Sequence, residues 1–317
     1  MRRIFAAAVV AVTAATVATR IDLAAGQAGA GPRIEITIAK GARAEATTGM
    51  VYVAVSRDNK RTPVEQSGPT GSPLFSLPVE GLQSGSAVAI TAAERGHPIA
   101  SLKDLPAGEY WMQPFVNVYT RFARADGKIV WLHMDQWEGQ NWKRSPGNLY
   151  GEPVRVQFDP RSPTPIRLIA DKVIPPIQAP PDTELVKRIK IQSTILSKWW
   201  GHPIYLGATI LLPKDYEKQP GVRYPVNYEQ GHFSLRAPGS FCTGGAFDAF
   251  WLSAATPRMI YVTLQHPSPY YDDSYGVNSE NNGPFGDAIL QELIPAIESQ
   301  FRVIREPWAR TLSGGST

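Results

Sequence analysis

A proline-rich segment divides this chain into two parts of different sequence pattern. Seven prolines fall between residues 159 and 182. Because each proline fixes its own φ angle and removes a backbone hydrogen-bond donor, much of this segment cannot be a central strand or the middle of a helix. We therefore predict a linker at residues 159–183, between one domain at 31–158 and another at 184–317. The alternative for residues 166–170 is that they complete the first domain.

The first part carries a pattern that repeats every two residues. Ile34, Ile36 and Ile38 are separated by single polar residues, so a strand here would have one apolar and one polar face. Similar short runs follow, separated by clusters of Gly, Pro, Asp and Ser that favour turns. Many short strands with turns between them are typical of an all-β sandwich, which is the fold we predict for the first domain.

The second part mixes strand and helix patterns. Residues 259–264 are almost continuously apolar, as in a strand that is covered on both faces. A helix is predicted from about Gly286, with six apolar residues that include Leu290 along one face, and Pro295 should kink it because it removes a backbone hydrogen bond. Residues 309–313 are a further strand candidate. Strands that alternate with a helix predict an α/β domain with a mostly parallel sheet.

The N-terminus has the order of a secretory signal peptide. The basic start Met1-Arg2-Arg3 is followed by an uncharged, mostly apolar stretch at residues 4–19 and by the small residues Ala28-Gly29-Ala30. This order predicts a signal peptide at residues 1–30, a secreted or periplasmic location, and no stable membrane insertion after cleavage. The alternative is a retained N-terminal anchor.

The charge and the cysteine content limit the possible functions further. The net charge of +4 is spread over the sequence without a long run of Lys or Arg, so we predict no nucleic-acid partner. Cys242 is the only cysteine. The sequence therefore forms no intrachain disulfide, which fits an exported protein that relies on its core for stability.

The residues Gly314-Gly315-Ser316-Thr317 match the first four positions of the Gly-x-Ser-x-Gly nucleophile elbow. In such an elbow the serine sits on a tight turn between a strand and a helix, where small flanking residues let the backbone bend and the substrate approach. A flexible glycine-serine tail would have the same composition. The context favours the elbow, because a predicted strand precedes the motif, and a helix and an apolar strand precede that strand.

Several other segments accompany the motif. The strand candidate at residues 224–228 runs into Gly231-His232-Phe233. The helix at residues 286–295, the triplet Phe301-Arg302-Val303 and the approach to the elbow at residues 310–316 follow. In this combination the chain resembles the putative esterase family, the α/β-hydrolases that include esterase D-like and enterochelin esterase-like enzymes. The resemblance implies that the second domain is an incomplete α/β-hydrolase domain, truncated at its nucleophile elbow.

The resemblance covers residues 186–317 and implies a role for several of them. Ser316 would be the nucleophile of an exported serine esterase, and the backbone N–H of Thr317 would be one oxyanion donor. A second donor would come from the Gly231-His232-Phe233 loop. This chemistry needs no metal and no organic cofactor. Hydrolysis of an amide or thioester is the alternative within the enzyme class.

The positions of the histidines indicate where the other members of a serine-acid-histidine catalytic triad would lie. All five histidines precede Ser316, whereas in this fold the acid and then the histidine follow the nucleophile. The acid and base are therefore expected beyond residue 317, and the given chain is expected to be inactive alone. Use of His232 or His266 as the base would depart from the order of the fold.

A polar, turn-rich loop at residues 270–283 is a candidate substrate contact. Its spacing does not match the alternating ligands of an EF-hand, so a loop over the active-site mouth is favoured over a calcium site. Its candidate contact residues are Tyr271, Asp272, Asp273, Tyr275 and Asn278.

Aromatic residues are also concentrated between Trp131 and Tyr150, among them Trp137 and Trp142. Aromatic rings among planar polar groups can bind sugars, but they also bury a large apolar area, and packing against one of the two domains is the favoured interpretation. The expected partner is a small-molecule or carbohydrate ester. The alternative function is a non-catalytic exported carbohydrate-binding protein with a hydrolase-like fold.

Overall fold

The computed structural model of the chain describes residues 31–270 and 274–315. The predicted signal peptide, Tyr271, Asp272, Asp273, Ser316 and Thr317 lie outside these residues. Strands dominate and form several sheets, and the helices are few and short. Within the described part of the chain, no helix combines the length and apolar character that a membrane span requires.

Strands β1 to β11 make up the N-terminal part of the described chain. They are β1 (Ile34–Ile38), β2 (Thr47–Ser56), β3 (Leu74–Leu82), β4 (Ala87–Ile90), β5 (Gly96–His97), β6 (Gly108–Ala123), β7 (Ile129–His133), β8 (Leu149–Tyr150), β9 (Val154–Phe158), β10 (Ile166–Ala170) and β11 (Lys172–Val173). Between them lie one short helix, α1 (Pro63–Gln66), and two 3-10 turns (Leu102–Asp104 and Trp142–Arg144).

Two sheets of this part share one apolar core. The smaller sheet has the order β10-β1-β4, and the larger one runs β11-β8-β6-β2-β3-β5, with β7 and β9 also paired to β6. Ile34, Ile36 and Ile38 of the smaller sheet are buried in the same cluster as Val53 and Met112 of the larger one. The burial of every second residue in β1 confirms the prediction from the isoleucine alternation.

The proline-rich segment contributes two of these strands. Strand β10 pairs in parallel with β1, and β11 pairs with β8. Both strands lie within residues 159–183, and β10 occupies the run for which completion of the first domain was the alternative. The domain boundaries themselves stay a prediction.

The C-terminal part is built around a separate sheet of five strands. Its strands are β12 (Val186–Ser193), β13 (Ile204–Leu211), β14 (Val226–Gln230), β15 (Ile260–Gln265) and β18 (Arg310–Gly314), and a small separate ribbon contains β16 (Asn278–Ser279) and β17 (Gly283–Pro284). The helical segments are α2 (Thr194–Trp200), α3 (Ala246–Leu252), α4 (Phe285–Ala288), a π-helical segment (Ile289–Leu293), α5 (Ile294–Gln300) and 3-10 turns at Pro238–Ser240 and Pro307–Ala309.

The prediction of a mostly parallel sheet is wrong. The strand order is β12-β13-β15-β14-β18, and the pairs β12–β13 and β13–β15 are antiparallel, while β15–β14 and β14–β18 are parallel. Only residues 194–203, with the seven-residue helix α2, connect β12 to β13. A parallel crossover usually needs a dozen residues or more, so this short connection returns the chain antiparallel.

Helices cover both faces of this sheet. Ile289, Leu293 and Ile297 pack with Val226 and Val262 on one face, and on the other face Trp251 of α3 packs against Val186 and Leu211. The connections on either side of β15 therefore run on opposite faces of the sheet, as in layered α/β folds.

The predicted helix begins at Phe285, and α4, the π-helical segment and α5 follow one another without a break. The π-helical segment directly precedes α5, in which Pro295 is the second residue. π-helical segments are one of the recognised sites of local distortion in helices. Leu290 is 66% exposed, so its predicted place on the packed face is wrong. It lies next to buried Ile289 but on a different side of the helix.

The long strand β6 joins the two parts. Its first half pairs with β2 and β9 in the N-terminal sheet, and its last residues pair with β7. Phe122 near its end lies in the core of the C-terminal part, where its ring meets Trp200 edge to face with centroids 5.1 Å apart. The β6–β7 hairpin thus packs against the C-terminal part, and the chain after β7 continues to the ends of the C-terminal strands.

Candidate active site

The predicted oxyanion loop and the predicted elbow leave the sheet side by side. Strands β14 and β18 are parallel neighbours, and Gln230 at the end of β14 pairs with Gly314 at the end of β18. The chain from β14 turns to β15 on one side, whereas β18 lies on the other side of β14. In open α/β sheets, the crevice outside the carboxyl ends of such neighbouring strands is where ligands bind.

Gly314 allows β18 to approach β14 closely at this edge. A Cβ atom at position 314 would lie 2.5 Å from the backbone oxygen of Gln230, whereas one at Gly315 would meet nothing within 4 Å. The first glycine of the motif is therefore required by backbone packing, and the second is not. Ser316 and Thr317 follow directly but lie outside the described residues.

The predicted oxyanion loop rests on a tryptophan of the N-terminal part. Gly231 and Phe233 are partly buried and His232 is exposed. The Phe233 ring meets the Trp137 ring edge to face, with centroids 5.4 Å apart and an interplanar angle of 82°. Trp137 is only 7% exposed, and its indole lies against Gly207, where a Cβ atom would be 2.6 Å from the ring.

The segment that carries Trp137 is held by its own side chains. Trp137 and Gln140 have positive φ angles, and Asp135 accepts hydrogen bonds from both of their backbone N–H groups. The side chain of Gln140 donates to the carbonyl of Ser268, in the segment after β15. Trp137 is thereby fixed against the C-terminal part.

Charged side chains surround this contact. Burial and the neighbouring Glu138 carboxylate raise the pKa of Asp135 to about 7. The ammonium of Lys190 lies 4.1 Å from the centroid of a Trp137 ring, a cation–π distance. Burial lowers the pKa of Lys190, and the Asp135 carboxylate partly offsets this effect. Glu138 is paired with His133 at 2.7 Å.

His266 lies just after β15, is buried, and forms hydrogen bonds to two different segments. Its Nε2 lies 3.0 Å from Oε1 of Gln230, and its Nδ1 lies 3.2 Å from the backbone N of Ser274. The N–H of Ser274 must donate to Nδ1, so Nε2 carries the proton and donates to Gln230. Both ring nitrogens are thus engaged, and the ring links the end of β14 to the loop that follows β15.

The predicted substrate loop is described only in part, since its Tyr271, Asp272 and Asp273 lie outside the described residues. Tyr275 has a φ angle of 57° and a side chain that is about half exposed. Asn278 Oδ1 accepts the backbone N–H of Asp287 at 3.0 Å, near the start of α4. Asn278 therefore accepts a hydrogen bond from a backbone donor in the first turn of α4. Its contact with substrate stays a prediction.

An ion pair fixes the strand that leads to the elbow. Glu298 is buried and accepts hydrogen bonds from Arg310 Nε at 2.7 Å, Arg310 Nη2 at 2.9 Å and the Tyr228 hydroxyl at 3.1 Å. Burial acts to raise the pKa of Glu298, but the hydrogen bonds and charge of Arg310 outweigh it and the pKa is lowered. The carboxylate thus holds β14, β18 and α5 together.

The tryptophans outside this contact differ in exposure. Trp142 stacks on Tyr52 at 4.9 Å and meets Phe115 edge to face at 5.2 Å, so it packs on the N-terminal sheet. Trp131 is 42% exposed. The packing of Trp137 and Trp142 agrees with the packing interpretation of this aromatic segment. The residues that the structure describes bring no group of three or more His, Cys, Asp or Glu together in a way that could hold a metal ion.

Sequence reasoning identified both segments that meet at the sheet edge but missed the Trp137–Phe233 contact and the His266–Gln230 bond. Both contacts join residues that are distant in sequence, and neither pair carries a local pattern that would reveal its partner. The requirement for glycine at position 314 was visible only as part of the motif.

No protein-family model and no curated protein sequence matches this chain. Among solved structures, it is similar to a ferulic acid esterase, with 20% identity over 41% of this chain and 49% of that protein and a TM-score of 0.29. An IroE-like serine hydrolase from Shewanella oneidensis shows 20% identity over 37% of this chain and 39% of that protein, with a TM-score of 0.23. A thermostable esterase shows 13% identity over 90% of this chain and 70% of that protein, with a TM-score of 0.26.

The chain thus spans about half the length of the ferulic acid esterase and about two fifths of the serine hydrolase. The similar structures are esterases and serine hydrolases by name.

Proposed function

We propose that this chain belongs to an exported serine ester hydrolase in which Ser316 is the nucleophile. The observation that carries the proposal is the pairing of Gln230 with Gly314. The strands that lead into the predicted oxyanion loop and the predicted elbow end side by side at this pair. On this proposal, residues 31–158 form a β-sandwich domain, and residues 184–317 belong to an α/β-hydrolase domain.

The chemistry would be acyl transfer in two steps. The Ser316 hydroxyl attacks the ester carbonyl while a base takes its proton, and the alcohol leaves to give an acyl-enzyme. Water then attacks the acyl-enzyme and releases the acid. The negative charge on the carbonyl oxygen would be stabilised in both steps by the backbone N–H of Thr317 and by one from the Gly231-His232-Phe233 loop.

The base is proposed to be a histidine that follows Ser316 in the chain, in the order of elbow hydrolases. His266 does not fit this role, because it is buried and both of its ring nitrogens are engaged. We assign to it the positioning of Gln230, directly before the oxyanion loop. The 317-residue chain, in which every histidine precedes Ser316, is then expected to show no serine-dependent turnover by itself.

Export is proposed from the sequence of residues 1–30, in which a basic start, an apolar stretch and small residues follow one another. The protein would act on small-molecule or carbohydrate esters in the periplasm or outside the cell.

Hydrolysis of p-nitrophenyl acetate by the full-length protein tests the proposed activity. Ser316→Ala should lower kcat by at least about a thousandfold, since loss of the nucleophile removes the covalent route. Ser313→Ala is the matched control: Ser313 is an exposed serine on β18 that bonds Asn227, and its loss should leave kcat within about twofold. Equal rates for Ser316→Ala and the unsubstituted protein would refute the assignment.

A further inference from the structure

A second cleft opens beside the predicted oxyanion loop. Its volume is about 830 Å³, within the usual range of small-molecule sites. Its walls come from the segment after β14, from the Trp137 segment and from the proline-rich segment around Pro180. Phe233 belongs both to this cleft and to the predicted oxyanion loop. A ligand in the cleft would therefore extend towards the proposed reaction centre.

Three arginines give this cleft its charge. Arg144, Arg188 and Arg236 all line it, and Arg144 and Arg236 are exposed. The one carboxylate among the lining residues is Glu138, whose side chain is fully buried and paired with His133. The cleft therefore offers a ligand positive charge that the lining residues do not neutralise.

Arg188 is held in place within the cleft wall. Its Nη1 donates to the carbonyl of Pro181 at 2.9 Å, and its buried Nε has no hydrogen-bond partner among the described residues. A buried donor without a partner is costly, and an acceptor supplied by a ligand would remove that cost.

We propose that the ester hydrolysed by this protein carries a separate free carboxylate, which Arg144, Arg188 and Arg236 bind in this cleft. That the substrate is an ester rests on the proposed function, whereas the free carboxylate is inferred from the cleft itself. Guanidinium groups match the planar geometry of a carboxylate and pair with it through two parallel hydrogen bonds. Phe233 and Phe241 in the same cleft provide an apolar surface for the body of the molecule.

Binding of two matched probes tests this proposal. Monomethyl terephthalate carries an ester and a carboxylate on one ring, and methyl 4-carbamoylbenzoate replaces the carboxylate by a neutral amide of the same shape. Titration calorimetry on the full-length Ser316→Ala protein measures binding without hydrolysis. The carboxylate probe should bind about tenfold tighter than the amide, and the preference should shrink at high salt.

Charge-removing variants locate the effect. Arg144→Gln together with Arg236→Gln should abolish the preference for the carboxylate probe. Lys103→Gln together with Arg121→Gln removes the same number of charges from exposed positions that do not line the cleft and should keep the preference. Equal affinities for the two probes, a preference that survives the double substitution, or no binding of either probe in the millimolar range would each overturn the proposal. A carboxylate preference in a protein that hydrolyses no ester would instead count against the proposed function alone.

Discussion

Substitution of Gly314 by alanine separates the proposed elbow from a flexible tail. A Cβ atom at this position would lie 2.5 Å from the backbone oxygen of Gln230, well inside van der Waals contact. A backbone atom cannot swing aside as a flexible side chain can, so β18 must shift away from β14. Forced overpacking of this kind costs about 1–3 kcal/mol.

The substitution should lower catalysis as well as stability. β18 leads directly into Ser316, and displacement of a reacting group by about 1 Å can cost about a hundredfold in rate. Gly314→Ala should therefore lower kcat/KM for p-nitrophenyl acetate by about that factor, with a lower urea midpoint.

Gly315→Ala is the matched control for this prediction. A Cβ atom at Gly315 meets nothing within 4 Å, so its free energy of unfolding should change by less than about 0.5 kcal/mol. Equal urea midpoints and equal rates for Gly314→Ala and Gly315→Ala would refute the reasoning, because the close approach to Gln230 would then have no consequence.

Three further predictions concern the surroundings of the site. Trp137→Ala should lower the free energy of unfolding in urea by about 3–5 kcal/mol, because it removes a buried indole. Trp131→Ala, which removes an exposed ring, should lower it by less than about 1 kcal/mol. Similar losses for the two variants would contradict the packing of Trp137. Glu298→Gln should cost about 2–3 kcal/mol at pH 7, less than a fully buried pair because Arg310 is partly exposed. The folded-state pKa of Glu298 is lowered, so the carboxylate stabilises the fold above its unfolded-state pKa, and this stabilisation is lost on acidification. Below about pH 4.5 the urea midpoint of Glu298→Gln should therefore fall less steeply than that of the unsubstituted protein. Parallel curves for the two proteins would argue against the ion pair. The pKa of Asp135 is raised from 3.8 to about 7 in the folded state, so stability should fall as the pH rises through this range, and Asp135→Asn should flatten that part of the urea-midpoint profile; an unchanged slope would exclude Asp135 as its source.

Local patterns predicted those features whose cause is local. The alternation of Ile34, Ile36 and Ile38 predicted a strand with one buried face, and the structure buries all three side chains. The apolar run at residues 259–264 predicted a strand covered on both faces, and β15 (Ile260–Gln265) is mostly buried between helices. In both cases the side chains themselves carry the periodicity of the element.

Features that depend on connections and distant partners were not predictable in this way. The antiparallel pairing of β12 with β13 follows from the short connection between them, which the strand patterns do not show. The hydrogen bond from the backbone N–H of Asp287 to Asn278 joins two segments that no local pattern connects, and the substrate contact of Asn278 stays a prediction. Trp137 was recognised as an aromatic residue that buries area, but only the fold reveals Phe233 as its partner.

The proposed function requires Ser316 to be an activated nucleophile. Incubation of the full-length protein with a fluorophosphonate probe, followed by peptide mass spectrometry, identifies the residue that reacts. A single modified serine is expected at position 316, with labelling lost in Ser316→Ala and retained in Ser313→Ala. Absence of labelling, or labelling of another serine in the unsubstituted protein, would contradict it.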